Sequence, residues 1–396
     1  MSLYIFRRAA FSLTVALLAA TSVPALAAPP YQTTAKNAIL IDMDTGTVLF
    51  EKDADVQIHP ASMSKLMTTY IVFEQLKKGA LKLTDTLPVS EEIWRKWRAN
   101  KGSTMFLNVG DRPTIEDLVR GIVIQSGNDA CDVIAEGLGG SEEGFAVWLN
   151  KKAKELGLKG SHFVNASGWP NPEHVVTVRD LATLSERIIR DFPEYYHYFK
   201  EESFVYSGVK QGNRNPTLGV VPGADGLKTG HSDEAGYGVT LSAIQNGRRI
   251  VAVIAGMSSM SERAKESERV LNYGFNNFKS YKLFERGQMV EEAPLWLGDQ
   301  DTVPLVADRD VKVLMGRLDR SDLKVKVVYD SPVAAPLKEG QVVGKIVVSV
   351  PDHANQEFPL VAGAAIGELS GFGRVSAAIS QLIWGPAKST AAKPAH

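Results

Sequence analysis

Residues 237–257 of the chain read YGVTLSAIQNGRRIVAVIAGM. Two apolar runs, 237–245 and 248–257, flank the dipeptide Asn246-Gly247. Asn-Gly is the strongest short signal for a two-residue hairpin turn, because both residues tolerate the positive φ angles that the turn needs. The stretch therefore predicts two long antiparallel strands joined by a tight turn.

The residues before this hairpin show a second hairpin pattern and several helix patterns. Apolar runs at 38–41 and 48–50 flank Asp44-Thr45-Gly46, which predicts a hairpin near the N-terminus. Helices are predicted over residues 62–78, 115–124, 129–138 and 180–190. Strands at both ends and helices between them indicate an α+β domain with a helical insertion, which we assign to residues 28–280.

The chain changes character after about residue 280. Short apolar runs such as 311–314, 325–328 and 345–348 are separated by turn residues. This pattern predicts a small all-β domain over residues 281–370, and the domain contains no obvious catalytic motif.

The C-terminal segment, residues 371–384, has an amphipathic pattern. Its apolar residues fall on one stripe of a helical wheel, namely Phe372, Val375, Ile379, Leu382 and Ile383. Such a helix can lie on a membrane surface, and the alternative is a helix that docks on the β-domain. Residues 385–396 are predicted to be disordered.

The first 27 residues have the pattern of a secretory signal peptide. Arg7 and Arg8 precede an apolar run over residues 9–20, and Ala25-Leu26-Ala27 resembles a cleavage site. We therefore expect an exported protein. With the amphipathic C-terminal segment, this predicts a periplasmic location on the outer face of the inner (cytoplasmic) membrane.

Composition limits the class of protein further. Lys and Arg total 44 and Asp and Glu total 45, so no basic excess suggests a nucleic-acid partner. The single cysteine, Cys131, excludes an internal disulfide, and its apolar neighbours predict a buried thiol. No metal or nucleotide cofactor is expected, because the seven histidines form no ligand-like pair and the chain contains no nucleotide-binding motif.

The S-x-x-K spacing occurs at Ser62-Lys65, Ser207-Lys210 and Ser321-Lys324. Only Ser62 stands at the start of a predicted helix, where a lysine three residues later shares its face. A serine hydroxyl needs an adjacent base to act as a nucleophile, and a lysine can serve if burial lowers its pKa. Ser62 and Lys65 are therefore the candidate nucleophile and base.

Two further short motifs follow, and each occurs once. Ser126-Gly127-Asn128 lies between two predicted helices, and Lys228-Thr229-Gly230 precedes the Asn-Gly hairpin, on or beside an exposed strand. Each motif alone could be an ordinary turn. The order S-x-x-K, S-x-N, K-T-G is far more specific, and it is typical of serine acyl-enzymes that bind penicillin.

These segments resemble the low-molecular-mass penicillin-binding proteins, specifically the serine-type D-alanyl-D-alanine carboxypeptidases. The match rests on residues 60–65, 125–130 and 225–231. The resemblance implies a β-lactamase/transpeptidase-like domain, formed by an antiparallel sheet with a helical subdomain, followed by a small all-β domain. The run Ser167-Gly168-Trp169-Pro170 departs from a His-Gly-Leu-like stretch, which predicts an altered cleft wall that touches none of the three motifs.

The resemblance also implies a role for each matching residue. Ser62 would attack the penultimate D-alanine carbonyl of a peptidoglycan stem peptide that ends in D-Ala-D-Ala, Lys65 would accept its proton, and Ser126 would relay a proton to the leaving amine. The substrate would be bound by Asn128, Lys228, Thr229, Gly230, His231 and Arg263. The backbone N–H groups of Ser62 and His231 would form the oxyanion hole. Arg263 could instead be a solvated helix residue.

β-Lactam antibiotics would inhibit such an enzyme covalently. A D,D-endopeptidase acting on cross-links remains an alternative, because it would use the same residues. A β-lactamase is less favoured, because the run Glu268-Arg269-Val270-Leu271-Asn272 follows K-T-G rather than preceding it. A non-enzymatic binding protein is also disfavoured, since every motif residue is present.

Overall fold

The computed structural model describes residues 31–316, 323–349, 355–369 and 371. The predicted signal peptide, the tail 385–396 and the predicted amphipathic helix beyond residue 371 lie outside the described residues. The α-helices are α1 (Lys65–Lys77), α2 (Glu91–Ala99), α3 (Ile115–Arg120), α4 (Asn128–Gly139), α5 (Glu142–Leu156), α6 (Val178–Asp191) and α7 (Met260–Asn277).

The strands form sheets in two parts of the chain. The first part contains β1 (Asn37–Asp42), β2 (Val48–Lys52), β3 (Ser203–Tyr206), β4 (Val209–Gly212), β5 (Ala224–Ser232), β6 (Gly236–Gln245) and β7 (Arg248–Met257). The second part contains β8 (Phe278–Phe284), β9 (Met289–Trp296), β10 (Thr302–Ala307), β11 (Val311–Gly316), β12 (Lys324–Tyr329), β13 (Val333–Ala334), β14 (Val342–Ser349) and β15 (Gln356–Ala362).

The predicted Asn-Gly hairpin is confirmed, and its strands are β6 and β7 of the first sheet. Asn246 and Gly247 both have positive φ angles, 51° and 77°, as a two-residue hairpin turn requires. The predicted N-terminal hairpin is also present, and the antiparallel sheet has the order β2-β1-β7-β6-β5. Strand β5 contains K-T-G and lies at one edge of this sheet, as the sequence indicated.

The predicted helices are present, with two differences that bear on the motifs. The helix predicted from Ser62 begins with a 3₁₀ turn, Ala61–Ser64, and becomes α-helical only at Lys65. The helix predicted over 115–124 is wrong in its second half, because α3 passes into a π-helical turn, Gly121–Gln125. Two backbone hydrogen bonds and one backbone conformation accompany this wider turn. The N–H groups of Ser126 and Gly127 both donate to the Gly121 carbonyl, and Ser126 adopts a left-handed φ of 69°.

The second part of the chain is all-β, as predicted. Its larger sheet has the order β12-β14-β15-β10-β9-β13, and β8 pairs with β11. Its apolar residues form a core between Ala293 and Ile366, separate from the core of the helices and the first sheet. In the part of the chain that the structure describes, no helix is long and apolar enough to cross a bilayer.

Candidate active site

The first motif places a buried lysine against a serine. Ser62 lies in the 3₁₀ turn, and Lys65 opens α1 with its side chain fully buried. Lys65 Nζ donates to Ser62 Oγ at 2.8 Å, to Asn128 Oδ1 at 2.6 Å and to the Ser167 carbonyl at 2.5 Å. An ammonium group has three protons, so these acceptors satisfy it completely. Loss of one proton would leave the amine within reach of the Ser62 hydroxyl.

Burial sets the proton affinity of Lys65. It lowers the pKa of Lys65 from its ordinary 10.5 to about 8, and the nearby Arg214 charge acts in the same direction. Burial also lowers the pKa of Lys228 well below its ordinary value, with the Lys65 and Arg214 charges adding to the effect. Because the two ammonium groups repel each other, loss of a proton from one favours the charge on the other. Burial and this repulsion therefore both favour loss of a proton from the pair of lysines.

The second motif is positioned by the π-helical turn. Ser126 follows this turn, and Asn128 is the first residue of α4; both side chains are buried. The Asn128 N–H donates to the Ser103 carbonyl at 2.7 Å, and the Asp129 carboxylate accepts from the Met105 N–H at 2.9 Å. These bonds fix the loop between α2 and α3, at Ser103 and Met105, to the start of α4.

The third motif brings the edge strand β5 against the 3₁₀ turn Ala61–Ser64, which contains Ser62 and is called the nucleophile turn below. A Cβ atom on Gly230 would lie 2.7 Å from the Pro60 carbonyl oxygen and 3.1 Å from the Met63 nitrogen, so this approach requires glycine. Lys228 is buried, and its Nζ donates to the Thr229 carbonyl at 3.1 Å. Lys228 pairs across the sheet with Thr240, whose hydroxyl accepts from the Lys228 N–H at 3.0 Å.

The three motifs meet at one cleft of about 780 Å³. The cleft lining includes the motif residues Ser62, Ser126, Asn128, Thr229, Gly230 and His231, together with Arg263. Lys65 and Lys228 lie beneath this surface, buried, within reach of the motif residues above them. The structure thus brings together every residue that the sequence selected.

Arg263 lies on α7 and is 6% exposed, so the interpretation as a solvated surface arginine is wrong. Burial lowers the pKa of Arg263, and the Arg214 charge adds to this effect. Among the residues that the structure describes, Lys65, Lys228, Arg214 and Arg263 form no ion pair with a carboxylate. These four cations therefore have no direct carboxylate partner among the described residues, which leaves them available to an anionic ligand.

The loop over residues 160–177, called the 160–177 loop below, corrects one expectation. The run Ser167-Gly168-Trp169-Pro170 was expected to touch none of the motifs. Instead, the Ser167 carbonyl accepts directly from Lys65, and a Cβ on Gly168 would lie 2.0 Å from the Ala61 carbonyl oxygen. Backbone groups make these contacts, so the side-chain identities in the run could not reveal them.

Other site residues were not anticipated from the sequence. Arg214 lines the cleft and donates to Ser103 Oγ at 2.6 Å. His174 is buried, and its Nε2 lies 2.7 Å from Ser64 Oγ. Both residues stand far from the motifs along the chain, and the only signal was that each is a polar residue in a loop near Asn, Gly or Pro.

Two sequence interpretations concern residues outside the cleft lining. Cys131 is a buried thiol, as predicted, and burial raises its pKa to about 12. Glu268 lies exposed on α7 and is absent from the residues that line the cleft, which agrees with its interpretation as a chance match.

Comparison with known proteins supports the same grouping. Residues 23–259 match the family described as D-alanyl-D-alanine carboxypeptidase, and residues 278–368 match the C-terminal domain of penicillin-binding protein 5. The chain is 36% identical to D-alanyl-D-alanine carboxypeptidase DacA of Escherichia coli K12 over 348 residues, covering 87% of this chain and 86% of that one. It is 37% identical to DacC of the same strain over 341 residues, covering 85% of each chain.

A solved structure agrees as well. The structure of penicillin binding protein 5 from Haemophilus influenzae superposes with a TM-score of 0.78 at 33% identity, covering 86% of this chain and all of that one. The fold is thus that of penicillin-binding proteins, with an N-terminal peptidase domain and a C-terminal all-β domain. On its sequence, fold and site geometry, the chain belongs to the D-alanyl-D-alanine carboxypeptidase family of serine peptidases.

Proposed function

We propose that this protein is a serine-type D-Ala-D-Ala carboxypeptidase, which removes the terminal D-alanine from peptidoglycan stem pentapeptides through an acyl-enzyme on Ser62. The observation that carries the proposal is the buried Lys65 ammonium, 2.8 Å from Ser62 Oγ. Lys65 is the group best placed to take the hydroxyl proton, and its lowered pKa makes the neutral form accessible near neutral pH.

Acylation follows from this arrangement. The Ser62 oxygen forms a bond to the penultimate D-alanine carbonyl carbon while its proton passes to neutral Lys65. The bond from that carbon to the leaving nitrogen then breaks, and Ser126 relays a proton to the departing D-alanine amine. Water later hydrolyses the ester and regenerates the Ser62 hydroxyl. The backbone N–H groups of Ser62 and His231 would stabilise the oxyanion in both steps.

Substrate binding uses the remaining motif residues. Asn128 would hold the peptide backbone, and Thr229 would hydrogen-bond the terminal carboxylate. Lys228 and Arg263 supply positive charge for that carboxylate, and the missing Gly230 side chain lets the edge strand lie against the nucleophile turn. A β-lactam carries a carboxylate and a reactive carbonyl, so it would acylate the same serine.

We further propose that the protein acts in the periplasm, associated with the membrane through the segment 371–384. The signal-like first 27 residues and the apolar stripe of that segment support this proposal. Deletion of residues 371–396 should release the protein from vesicles of anionic phospholipid in a flotation assay. Equal flotation of both forms would remove the anchor from the proposal.

A pentapeptide ending in D-Ala-D-Ala tests the activity directly, with released D-alanine measured against cleavage of a cross-linked dimer. Ser62→Ala should abolish release. Ser207→Gly, at a decoy S-x-x-K serine with a φ of 47°, should leave release unchanged. Preferential cleavage of the dimer would identify an endopeptidase, and rapid turnover of nitrocefin would identify a β-lactamase.

A further inference from the structure

Tyr237 is a cleft residue to which the three motifs assign no role. It lies near the start of β6, directly opposite His231 of β5 in the antiparallel register. The Tyr237 and His231 rings are stacked, with centroids 3.9 Å apart and planes inclined by 30°. The guanidinium carbon of Arg263 lies over the same tyrosine ring, 5.6 Å from its centroid. One aromatic ring thus contacts two residues that line the cleft.

Arg263 is an unusual cation, because its surroundings compensate little of its charge. The side chain is almost fully buried, and its Nε has no hydrogen-bond partner among the residues that the structure describes. A buried guanidinium without a carboxylate is held mainly by whatever packs against it. The negative face of the Tyr237 ring is such a partner, since cation–π attraction grows when the cation is desolvated.

The backbone conformation of β6 around Tyr237 determines where its ring lies. The register with β7 shifts between Tyr237 and Val239, and such a bulge re-aims a side chain. Gly236 has a φ of 67°, and a Cβ there would lie 2.7 Å from the Met257 carbonyl oxygen. A Cβ on Gly238 would lie 2.6 Å from Met63 Cε, beside the nucleophile turn. Glycine on both sides of Tyr237 lets the strand bend at this point.

We propose that Tyr237 is a positioning residue that holds Arg263 in the orientation that receives the terminal carboxylate of the substrate. This inference rests on the proposed function and deepens it, because it explains how an unpaired arginine is kept ready for an anionic ligand. The ring face carries the effect. A phenylalanine at position 237 should therefore still position Arg263, whereas an aliphatic side chain of similar size should not.

The test compares acylation of Ser62 by benzylpenicillin and by its methyl ester, followed by intact-protein mass spectrometry. Tyr237→Leu should slow acylation by the free acid about tenfold, as loss of a desolvated cation–π contact implies. It should leave acylation by the ester, which offers no carboxylate, within about twofold of the unchanged protein. Tyr237→Phe should restore the rate with the free acid.

A double-mutant cycle separates positioning from general packing. In an Arg263→Gln background, Tyr237→Leu should cause no further loss with the free acid, because the two residues act together. With the pentapeptide, Tyr237→Leu should raise KM more than it lowers kcat, since a carboxylate contact binds substrate and transition state alike. If the leucine variant does not fold, Tyr237→Met replaces it in each comparison.

Several results would overturn the inference. An equal loss with acid and ester, an equal loss in the phenylalanine and leucine variants, or additive losses in the cycle would each show that Tyr237 does not act through Arg263. Failure of the unchanged protein to release D-alanine from the pentapeptide would instead reject the proposed function. The comparison of benzylpenicillin with its methyl ester would still test the role of Tyr237 in that case, because it requires only acylation of Ser62.

Discussion

Lys65 shows how burial and hydrogen bonding set the chemistry of a single side chain. Its three acceptors replace the hydration that a buried ammonium loses, yet its pKa still falls to about 8. Between about pH 8 and its ordinary pKa of 10.5, the unfolded chain therefore holds this proton while the folded protein releases it. The charged form consequently costs stability at lower pH, and this cost is relieved as the pH rises through that window.

The same pKa predicts how acylation depends on pH. If neutral Lys65 is the base, the second-order rate of acylation by benzylpenicillin should rise about tenfold per pH unit below pH 8 and then level off. Stopped-flow measurements between about pH 6 and pH 9 would show this limb. Lys65→Arg should lose it, because arginine stays protonated; an unchanged limb in that variant would exclude Lys65 as the titrating base.

Gly168 provides a second prediction at this scale. It has a φ of 74°, and a Cβ there would lie 2.0 Å from the Ala61 carbonyl oxygen, one residue before the nucleophile. Gly168→Ala should lower the free energy of unfolding by about 2–4 kcal/mol and slow acylation more than about tenfold. Gly157→Ala is the control, since its φ of 76° carries the same backbone strain in open space. If urea unfolding gave the same loss of unfolding free energy for both substitutions, it would contradict a steric clash between the Cβ added at position 168 and the Ala61 carbonyl.

The motif residues could be selected from the sequence because each motif is local and the order of the three is specific. Ser167, Gly168 and His174 could not be selected in this way. They act through a carbonyl oxygen, a missing Cβ and a long-range hydrogen bond, and none of these depends on a short pattern of side chains. Arg263 was selected through the resemblance, and only the fold shows that it is buried.

The 160–177 loop and helix α1 act together as elements. Thr68 Oγ1 donates to the Ala166 carbonyl at 2.6 Å, one turn beyond the contact between Lys65 and Ser167. Ser64 and His174 make a further contact at 2.7 Å. The Val164 N–H donates to His174 Nδ1, at 3.4 Å, so the other ring nitrogen carries the proton and donates to Ser64. The loop thus fixes the helix start that contains the nucleophile and the base.

His174 makes this element sensitive to acid. Burial lowers the pKa of His174 from 6.5 to about 4, so the unfolded chain takes up a proton in this range that the folded protein does not. Stability should therefore be lost as the pH falls from about 6.5 towards 4, by an amount on the order of 2–3 kcal/mol.

His174→Gln should flatten that dependence, because glutamine does not titrate. Urea unfolding at about pH 7 and pH 4.5 should give a difference in unfolding free energy about 2 kcal/mol smaller in the variant. Exposed His197 offers a matched control, and His197→Gln should leave the difference unchanged. The same slope in the His174 variant as in the unchanged protein would contradict this role.

The element boundaries show where sequence patterns stop being informative. Periodicity predicts a helix over 115–124, but an α-helix and a π-helical turn differ by one residue in their hydrogen bonding, and long-range contacts of the turn decide between them. Helices α2 and α5 were not predicted, although each has a serine cap followed by two glutamates. A serine cap followed by glutamates in the first turn is a local signal of a helix start, so both helices were predictable from the sequence.

At the scale of the whole molecule, the described residues of the all-β part have an apolar core distinct from that of the helices and the first sheet. The larger core lies among the helices and the first sheet, and the smaller one lies within the all-β part. Arg248 links the catalytic domain to the first residue of β8 through the Phe278 carbonyl, at 3.0 Å. Each part therefore has the apolar core that independent folding requires.

Truncation tests this independence. A chain ending after Lys279 keeps the Phe278 carbonyl, so acylation by benzylpenicillin should stay within about twofold of the full-length rate. Circular dichroism would show whether the shortened chain unfolds cooperatively. Loss of acylation in a cooperatively folded truncation would mean that the β-domain supports the cleft.

The two-part architecture could be predicted from the sequence, because alternating apolar runs identify strands wherever they occur. The strand order of the larger β-domain sheet could not, because it depends on pairings between distant residues. Strand β10 pairs with both β9 and β15, and no local pattern specifies the second partner.

The reactivity of the Cys131 thiol can report how often the surrounding structure opens transiently. Cys131 is the one cysteine in the sequence and lies fully buried in α4, three residues beyond Asn128 of the second motif. This buried start of α4 is called the active-site floor below. A thiol reagent can react with it only during transient exposure of the active-site floor. The rate of modification in native buffer, compared with the rate in urea, therefore measures how often that floor opens, without a dye or an engineered residue.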